Sequence, residues 1–403
     1  MRGLLALCFL VPLILAISGP CSGQRIKALL TGQVDEASNP LIKWFGEEPL
    51  VDARAVPTRP GRLVGVKEIK RFVRIYFPRS YDEVSSYDFI MLHSPVMYYF
   101  DDRQARWMYD AIRTGTGSLS APACMSSDPD IHNAWIASVL SQAFPNDAAA
   151  VIQSGGPKGR EAFHIKVNRE FPEPVLTPFI PLGIENFIGA YAYKIIPKDG
   201  ARILAWQIGG FNTPVPYMAT WNYENGRTMT LGDSFGLAFW SSYAGRSSQN
   251  PYSLDILMNM VLYLTKRRVP TEVLVFHRMR TSFIEYRTKM GLLVSLMEFV
   301  QGFGANDRTI EEMIGELQAR VSEAEREYLS ENFVQCQSIM DQVFTDLDKV
   351  QRMTLKLKER ALMWVFMVEW LVVTATLMIS SFLVWTFMIR RRLYKAVHVT
   401  RLA

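Results

Sequence analysis

Residues 361–389 constrain this chain more than any other segment, because they form an apolar run in which Glu369 is the one charge. At 1.5 Å per helical residue the run exceeds what is needed to cross a hydrocarbon core about 30 Å thick, with length left over for tilt. Trp364, Trp370 and Trp385 suit interfacial positions. Glu369 reads either as a polar contact between helices in the membrane or, preferably, as a side chain near the outer interface that reaches water. A second apolar run, residues 4–17, lies after Arg2 and before the small, polar segment 18–23. This has the form of a secretory signal peptide, residues 1–23, cleaved near Gly23. An uncleaved signal anchor is the alternative, and either one exports the chain between residue 24 and the apolar run at 361–389.

The tail, residues 390–403, carries Arg390, Arg391, Arg392, Lys395 and Arg401, while Lys356, Lys358 and Arg360 stand on the other side of the span. The positive-inside rule is therefore undecided by itself, and the signal peptide sets the expectation. The chain is a single-pass protein of the cell membrane, with its large N-terminal part outside and a short basic tail in the cytoplasm. Because the net charge is only +5 and its excess sits in that tail, no nucleic-acid partner is implied. With 49% hydrophobic and 21% charged residues, a disordered or collagen-like chain is excluded. Cys8 and Cys21 fall in the signal segment, leaving Cys124 and Cys336, whose pairing spacing cannot decide. No CxxC or HExxH pattern occurs, and His93, His132, His164 and His277 are scattered singly. Neither a metal nor a cofactor is expected.

Residues 25–268 alternate short β-type runs with helical ones, the pattern of an α/β domain with a largely parallel sheet. Residues 26–30 read as the first strand and 40–45 as a short helix. Candidate strands come next at 51–56 and 72–77, then a buried central strand at 89–93. In residues 101–113, Ala105, Met108, Tyr109 and Ile112 fall at helical spacing, with Asp101 or Asp102 as N-cap. Gly115-Thr116-Gly117 ends that helix and 118–123 returns as a strand. Asn225-Gly226 is the sequence of a type I′ turn joining strands 218–223 and 227–231. Prolines between 171 and 181, and Pro214 with Pro216, mark loops.

Three blocks carry a family resemblance. Tyr87-Asp88-Phe89-Ile90-Met91-Leu92, with the helix and Gly115-Thr116-Gly117-Ser118-Leu119 after it, resembles a segment of class I glutamine amidotransferase-like domains, including membrane-anchored relatives. Glu224 to Leu231 is similar to a hairpin of that superfamily, and residues 250–265 to its closing helix. The resemblance implies a flavodoxin-like three-layer α/β sandwich, but a fold does not fix function. The family's catalysis needs a cysteine on a sharp strand-to-helix turn, a histidine to deprotonate it and a carboxylate to orient that histidine. Cys124 comes after a strand and His132 lies downstream, so these two are the candidate catalytic pair. The flanking glycines of the family's elbow are missing, however, and there is no His-x-Glu pair later in the domain. A buried structural thiol is the preferred reading of Cys124.

Residues 270–360 change to helix. Ile310, Ile314, Leu317, Val321, Ala324 and Tyr328 obey a 4,3 spacing, which Leu329, Phe333, Cys336, Met340, Val343, Leu347 and Val350 resume after a phase shift. This is a helical, coiled-coil-like stalk. Its break at 328–332 is either a shift within one long helix or the turn of a hairpin, and oligomerisation through the seam is one way to cover it. An intramolecular bundle is preferred, because the apolar stretch 291–300 also needs a partner. Ser154 to Arg160 is glycine-rich without P-loop spacing and reads as a solvated turn. Trp206, Trp221, Trp240 and Tyr243 are the aromatic candidates for stacking on a sugar or peptide, and core packing explains them equally well. Two classes of function remain. The first is a non-catalytic domain that binds a small ligand or protein partner outside the cell; the second is a cysteine-dependent amidase or hydrolase.

Overall fold

The computed structural model describes residues 23–36, 39–59, 65–121, 129–147, 162–190, 193–209, 212–236, 239–240, 250–303 and 308–400. They form two compact units. The first runs to Arg280 and takes in Tyr328–Phe333, and the second comprises Thr281–Glu327 with the chain from Val334 onward.

The first unit is built on a mixed nine-stranded sheet of order β2-β1-β3-β4-β9-β8-β7-β5-β6. Its strands are β1 Ile26–Gly32, β2 Val51–Pro57, β3 Phe89–His93, β4 Gly117–Ala121, β5 Ala162–Val167, β6 Ile188–Ala190, β7 Arg202–Ile208, β8 Val215–Tyr223 and β9 Gly226–Leu231. From β2 through β9 every pairing is parallel, and from β9 outward every pairing is antiparallel. The sheet is thus half parallel, where the alternation in sequence implied mostly parallel. The physical cause is the β8–β9 hairpin, whose two-residue link can return the chain only antiparallel.

Helices α1 Leu41–Glu47, α2 Val66–Tyr76, α3 Tyr81–Ser85, α4 Asp102–Thr114, α5 Pro129–Ala137 and α6 Ser253–Leu264 complete the unit. All five residues of β3 are buried, as expected of a strand covered on both faces. Ile90 and Leu92 pack into a cluster with Ile69 and Val73 of α2 and Met108 and Ile112 of α4. Phe89, of opposite parity, stacks on Phe45 of α1 at 6.4 Å. Helix α4 starts with a capping box, in which Asp101 Oδ1 accepts from Gln104 N at 2.7 Å and Gln104 Oε1 accepts from Asp101 N at 3.0 Å.

Two expectations are corrected. Residues 72–77, read as a strand, belong to α2 with its C-cap Phe77, because Ile69, Val73 and Phe77 recur every four residues as its buried stripe among five charged neighbours. The β8–β9 turn is centred one residue earlier than Asn-Gly: Tyr223 pairs with Gly226, leaving Glu224 (φ 50°) and Asn225 as the loop. Gly226 serves a different purpose, since a Cβ there would lie 2.1 Å from the carbonyl oxygen of Ile112. The glycine lets the hairpin close on the end of α4, where Arg113 Nε donates to Glu224 Oε1 at 2.7 Å.

Helix α7, Val273–Gln301, begins in the first unit and continues into the second, which also holds α8 Arg308–Leu329 and the 68-residue α9 Phe333–Thr400. Helix α8 ends at Leu329 and α9 starts at Phe333, so the phase shift in the seam is a tight turn. Within the second unit Arg287 pairs with Glu325 at 3.3 Å, and Arg320 with Asp346. Leu317, Val321, Met340, Val343 and Leu347 are buried inside this one chain. Cys336 is a free, buried thiol, its pKa pushed up to about 12 by burial and then by Glu327. Beyond it, α9 is the one helix among the described residues long and apolar enough to cross a membrane, with a mean hydropathy of 2.0 in its most apolar window.

The start of α7 is fixed by a buried ion cluster within the first unit. Arg280 Nε donates to Glu48 Oε2 at 2.6 Å and its Nη1 donates to Asp255 Oδ1 at 2.7 Å. His277 Nδ1 lies 2.7 Å from the other Asp255 oxygen. Burial alone would lower the Arg280 pKa, but the Glu48 carboxylate, with Tyr328 and Asp255, outweighs it and raises the value. Removing one member of such a cluster strands the others in a dry interior, a loss of about 3–5 kcal/mol. Arg280→Met is therefore expected to lower the midpoint of urea unfolding, with tryptophan fluorescence as the readout. Exposed Arg103→Met should leave that midpoint unchanged.

Candidate functional site

In a sheet of this kind, ligands meet the carboxyl ends of the parallel strands, where loops leave in different directions. Here those ends are Gln33–Asp35 after β1, Thr58–Arg59 after β2, His93–Ser94 after β3 and Gly232–Ser234 after β9. Gly32 (φ 103°) makes the approach of β1 to β3 feasible, because a Cβ there would stand within bonding distance of the His93 carbonyl oxygen. The same approach lets Gln33 N donate to His93 O at 2.7 Å.

His93 is fully buried. Its Nδ1 lies 2.7 Å from the carbonyl oxygen of Gln33 and its Nε2 lies 3.1 Å from Ser234 Oγ. Burial depresses its pKa to about 4, and the charge of Arg59 adds to the depression, so the ring is neutral at physiological pH. A carbonyl can only accept, which places the ring proton on Nδ1 and leaves Nε2 as an acceptor. The Ser234 hydroxyl must then donate to Nε2, and Ser234 Oγ also accepts from Gly236 N at 3.4 Å. The half-buried serine marks the outer end of this chain of bonds.

Behind Ser234 lies Asp233, fully buried, with its pKa raised to about 7 by burial. Asp233 Oδ1 accepts from Ser234 N at 2.7 Å and Oδ2 accepts from the Tyr217 hydroxyl at 3.1 Å. Trp240 Nε1 donates to that hydroxyl at 3.2 Å. Ser94 holds a left-handed backbone (φ 49°), uncommon for a non-glycine residue, at the sharp exit from β3. Asp35 is buried, and neither of its carboxylate oxygens has a hydrogen-bond partner among the described residues. Arg59 is half-buried and has no carboxylate partner among the described residues, while its charge acts on both His93 and Tyr193.

Of the residues singled out from sequence, Cys124 lies outside the described residues and His132 sits half-buried on α5. Trp240 is a core residue, Trp206 and Trp221 are half-buried, and Tyr243 lies outside the described residues. His93, Ser234 and Asp233 were not legible as a site. The only signal was their place, a histidine closing an apolar strand and Gly-Asp-Ser closing another. Among the described residues no cluster of His, Cys, Asp and Glu is arranged to hold a metal ion.

No family model matches the sequence, and no curated protein does. In structure the chain is similar to a cytoplasmic protein from Salmonella typhimurium, at 15% identity and a TM-score of 0.45, over 59% of this chain and 99% of that one. It is also similar to Agd3, a carbohydrate deacetylase, at 12% identity and a TM-score of 0.36, over 60% of this chain and 32% of that one. A third likeness is to the glutaminase domain of Trypanosoma brucei CTPS, at 9% identity and a TM-score of 0.31, over 61% of this chain and 97% of that domain. At these TM-scores the chemistry must be argued from this chain's own residues.

The two buried titrating groups oppose each other. His93, near 4 when folded against 6.5 when unfolded, contributes stability that is present above 6.5 and lost as pH falls through about 4. Asp233, near 7 against 3.8, contributes stability that is present below 3.8 and lost as pH rises through about 7. Each effect is on the order of 3–4 kcal/mol at 1.36 kcal/mol per unit, so the native chain should show a nearly flat stability profile between the two. His93→Gln should make urea stability fall with rising pH across that window, and Asp233→Asn should make it rise.

Proposed function

We propose that this chain is a single-pass, membrane-anchored binding domain. In this reading residues 361–389 cross the bilayer and residues 25–268 form an extracytoplasmic domain of the class I glutamine amidotransferase-like, flavodoxin-like three-layer type. Residues 270–360 make the stalk, and residues 390–403 stay in the cytoplasm. The signal-like segment 1–23 and the apolar helix support the topology. A seam buried within one chain supports a stalk that needs no second copy to cover it.

The bound partner is a small ligand with an anionic group, held at the carboxyl ends of β1, β2, β3 and β9. The observation that carries this is Arg59, a half-buried guanidinium with no carboxylate partner among the described residues, whose charge acts on Tyr193 and on His93. A guanidinium in that setting pairs with a carboxylate or phosphate in two parallel hydrogen bonds. The thiol-dependent amidase reading, with Cys124 and His132, has neither the family's flanking glycines nor a later His-x-Glu pair in its sequence to support it.

Two measurements test the proposal. Protease added to intact cells should remove the large domain and leave the tail behind the membrane protected, whereas a protected domain would refute the orientation. Glutarate or phosphate titrated into the detergent-solubilised chain should raise its melting temperature saturably, as mass action requires. Arg59→Ala should abolish that rise, and a rise of equal size in the variant would place the anion elsewhere.

A further inference from the structure

The hydrogen bond between His93 and Ser234 carries more than binding. The Gln33 carbonyl holds Nδ1–H of His93 at 2.7 Å, which fixes the tautomer with its Nε2 lone pair directed at Ser234 Oγ, 3.1 Å away. In serine hydrolases a third group orients the histidine and the histidine takes the proton of the serine. Here a backbone carbonyl performs the orienting. His93 comes from the end of β3 and Ser234 from just beyond β9, with β4 between them, so the pair lies on the inner side of the parallel half, next to the middle of the sheet. His93 is sealed from water while Ser234 is half-buried, so the base is protected and the serine is partly accessible.

We propose that Ser234 is a nucleophile and His93 its general base, in an acyl-transfer site that acts on esters of small acids. In the first step Ser234 Oγ bonds to the acyl carbon as its proton passes to His93 Nε2. The tetrahedral adduct then expels the alcohol, which leaves with the proton from His93. Water repeats the sequence, releasing the acid and restoring the serine. The substrate class is set by the orienting group. A carbonyl fixes the tautomer as a carboxylate would but brings no full negative charge to stabilise the imidazolium. Its reach is therefore expected to end at substrates with good leaving groups, activated esters and thioesters, and to exclude amides. This goes beyond the binding proposal and needs only Ser234 and His93, so losing the Arg59 anion effect would not affect it.

The test uses the full chain in detergent and a fluorophosphonate probe, whose phosphorus bonds to an activated serine oxygen as fluoride departs. Intact mass should rise by one probe, mapped by peptide sequencing to Ser234, and Ser234→Ala should carry no label there. His93→Gln, with its fold checked by circular dichroism, should slow labelling at least ~100-fold, the usual loss when a general base is removed. Because His93 is neutral well below physiological pH and Arg59 stays charged, the one neighbour that titrates near 7 is Asp233, which accepts from Ser234 N; the rate in Asp233→Asn should therefore be level from mildly acidic to mildly alkaline buffer. Labelling of p-nitrophenyl acetate-treated protein at Ser234 by one acetyl group is the corresponding substrate result. The proposal is overturned if the folded native chain takes no label, if the label maps to another residue, or if His93→Gln reacts at the native rate.

Discussion

The first unit depends on one buried guanidinium. Arg280 is almost completely enclosed, yet it joins three parts of the chain: Glu48 between α1 and β2, Asp255 on α6 and its own helix α7. Phe276 packs beneath it, 5.7 Å from the guanidinium to the ring centroid, and the buried Tyr328 adjoins the cluster from the end of α8. A charge in a dry interior costs several kcal/mol unless it is paired and hydrogen-bonded. The two carboxylates supply that pairing, and each is itself tolerable only because Arg280 is present. Helix α6, buried along its whole length, is thereby held at Asp255 while its apolar side chains fill the space beside β4 and β9. The cluster selects one arrangement of α1, α6 and α7, because any other would leave a charge without its partner.

Within the sheet that this cluster braces, the carboxyl ends of the strands acquire their character from close backbone approach. Gly32 admits the His93 carbonyl, Thr58 N donates to Gly32 O at 2.8 Å, and Ser94 N donates to Ala121 O at 3.0 Å. These bonds continue the parallel ladder past its last side-chain pairs and pin the loops that carry His93, Ser94 and Arg59. The polar groups behind them, Asp233 and Tyr217 with Trp240, sit where water is excluded, so the proton on each is set by its neighbours. Burial favours the neutral forms of both His93 and Asp233, which leaves Arg59, whose charge acts on His93 and Tyr193, as a positive charge at these strand ends.

Much of the local structure was legible because its signals are local. The capping box at Asp101 and Gln104, the apolar strand 89–93 and the spacing of Ala105, Met108, Tyr109 and Ile112 each lie within a few residues of one another. Phe72 to Phe77 alone looks β-like, and the helical stripe of α2 appears only when Ile69 is included. The hairpin was expected, but its turn falls one residue upstream, because Gly226 is needed against Ile112 more than in the loop. The contact between His93 and Ser234 involves neither Cys124, which lies outside the described residues, nor His132.

By itself the sequence determined what composition and short-range period can encode: one run of residues apolar enough to cross a membrane, an alternating α/β segment and a helical segment with a break in its seam. Tertiary structure decided what depends on contact between distant residues. His93 and Ser234 are 141 positions apart and Glu48 and Arg280 are 232 apart, so nothing in either local pattern marks them as partners. Strand order and register bring the first pair together, and the packing of α7 near the end of α1 brings the second; a shift of one residue would turn His93 to the opposite face of the sheet. The half-parallel character of the sheet has the same origin, since the direction of each added strand is fixed by the link before it and by the ladder it finds already formed.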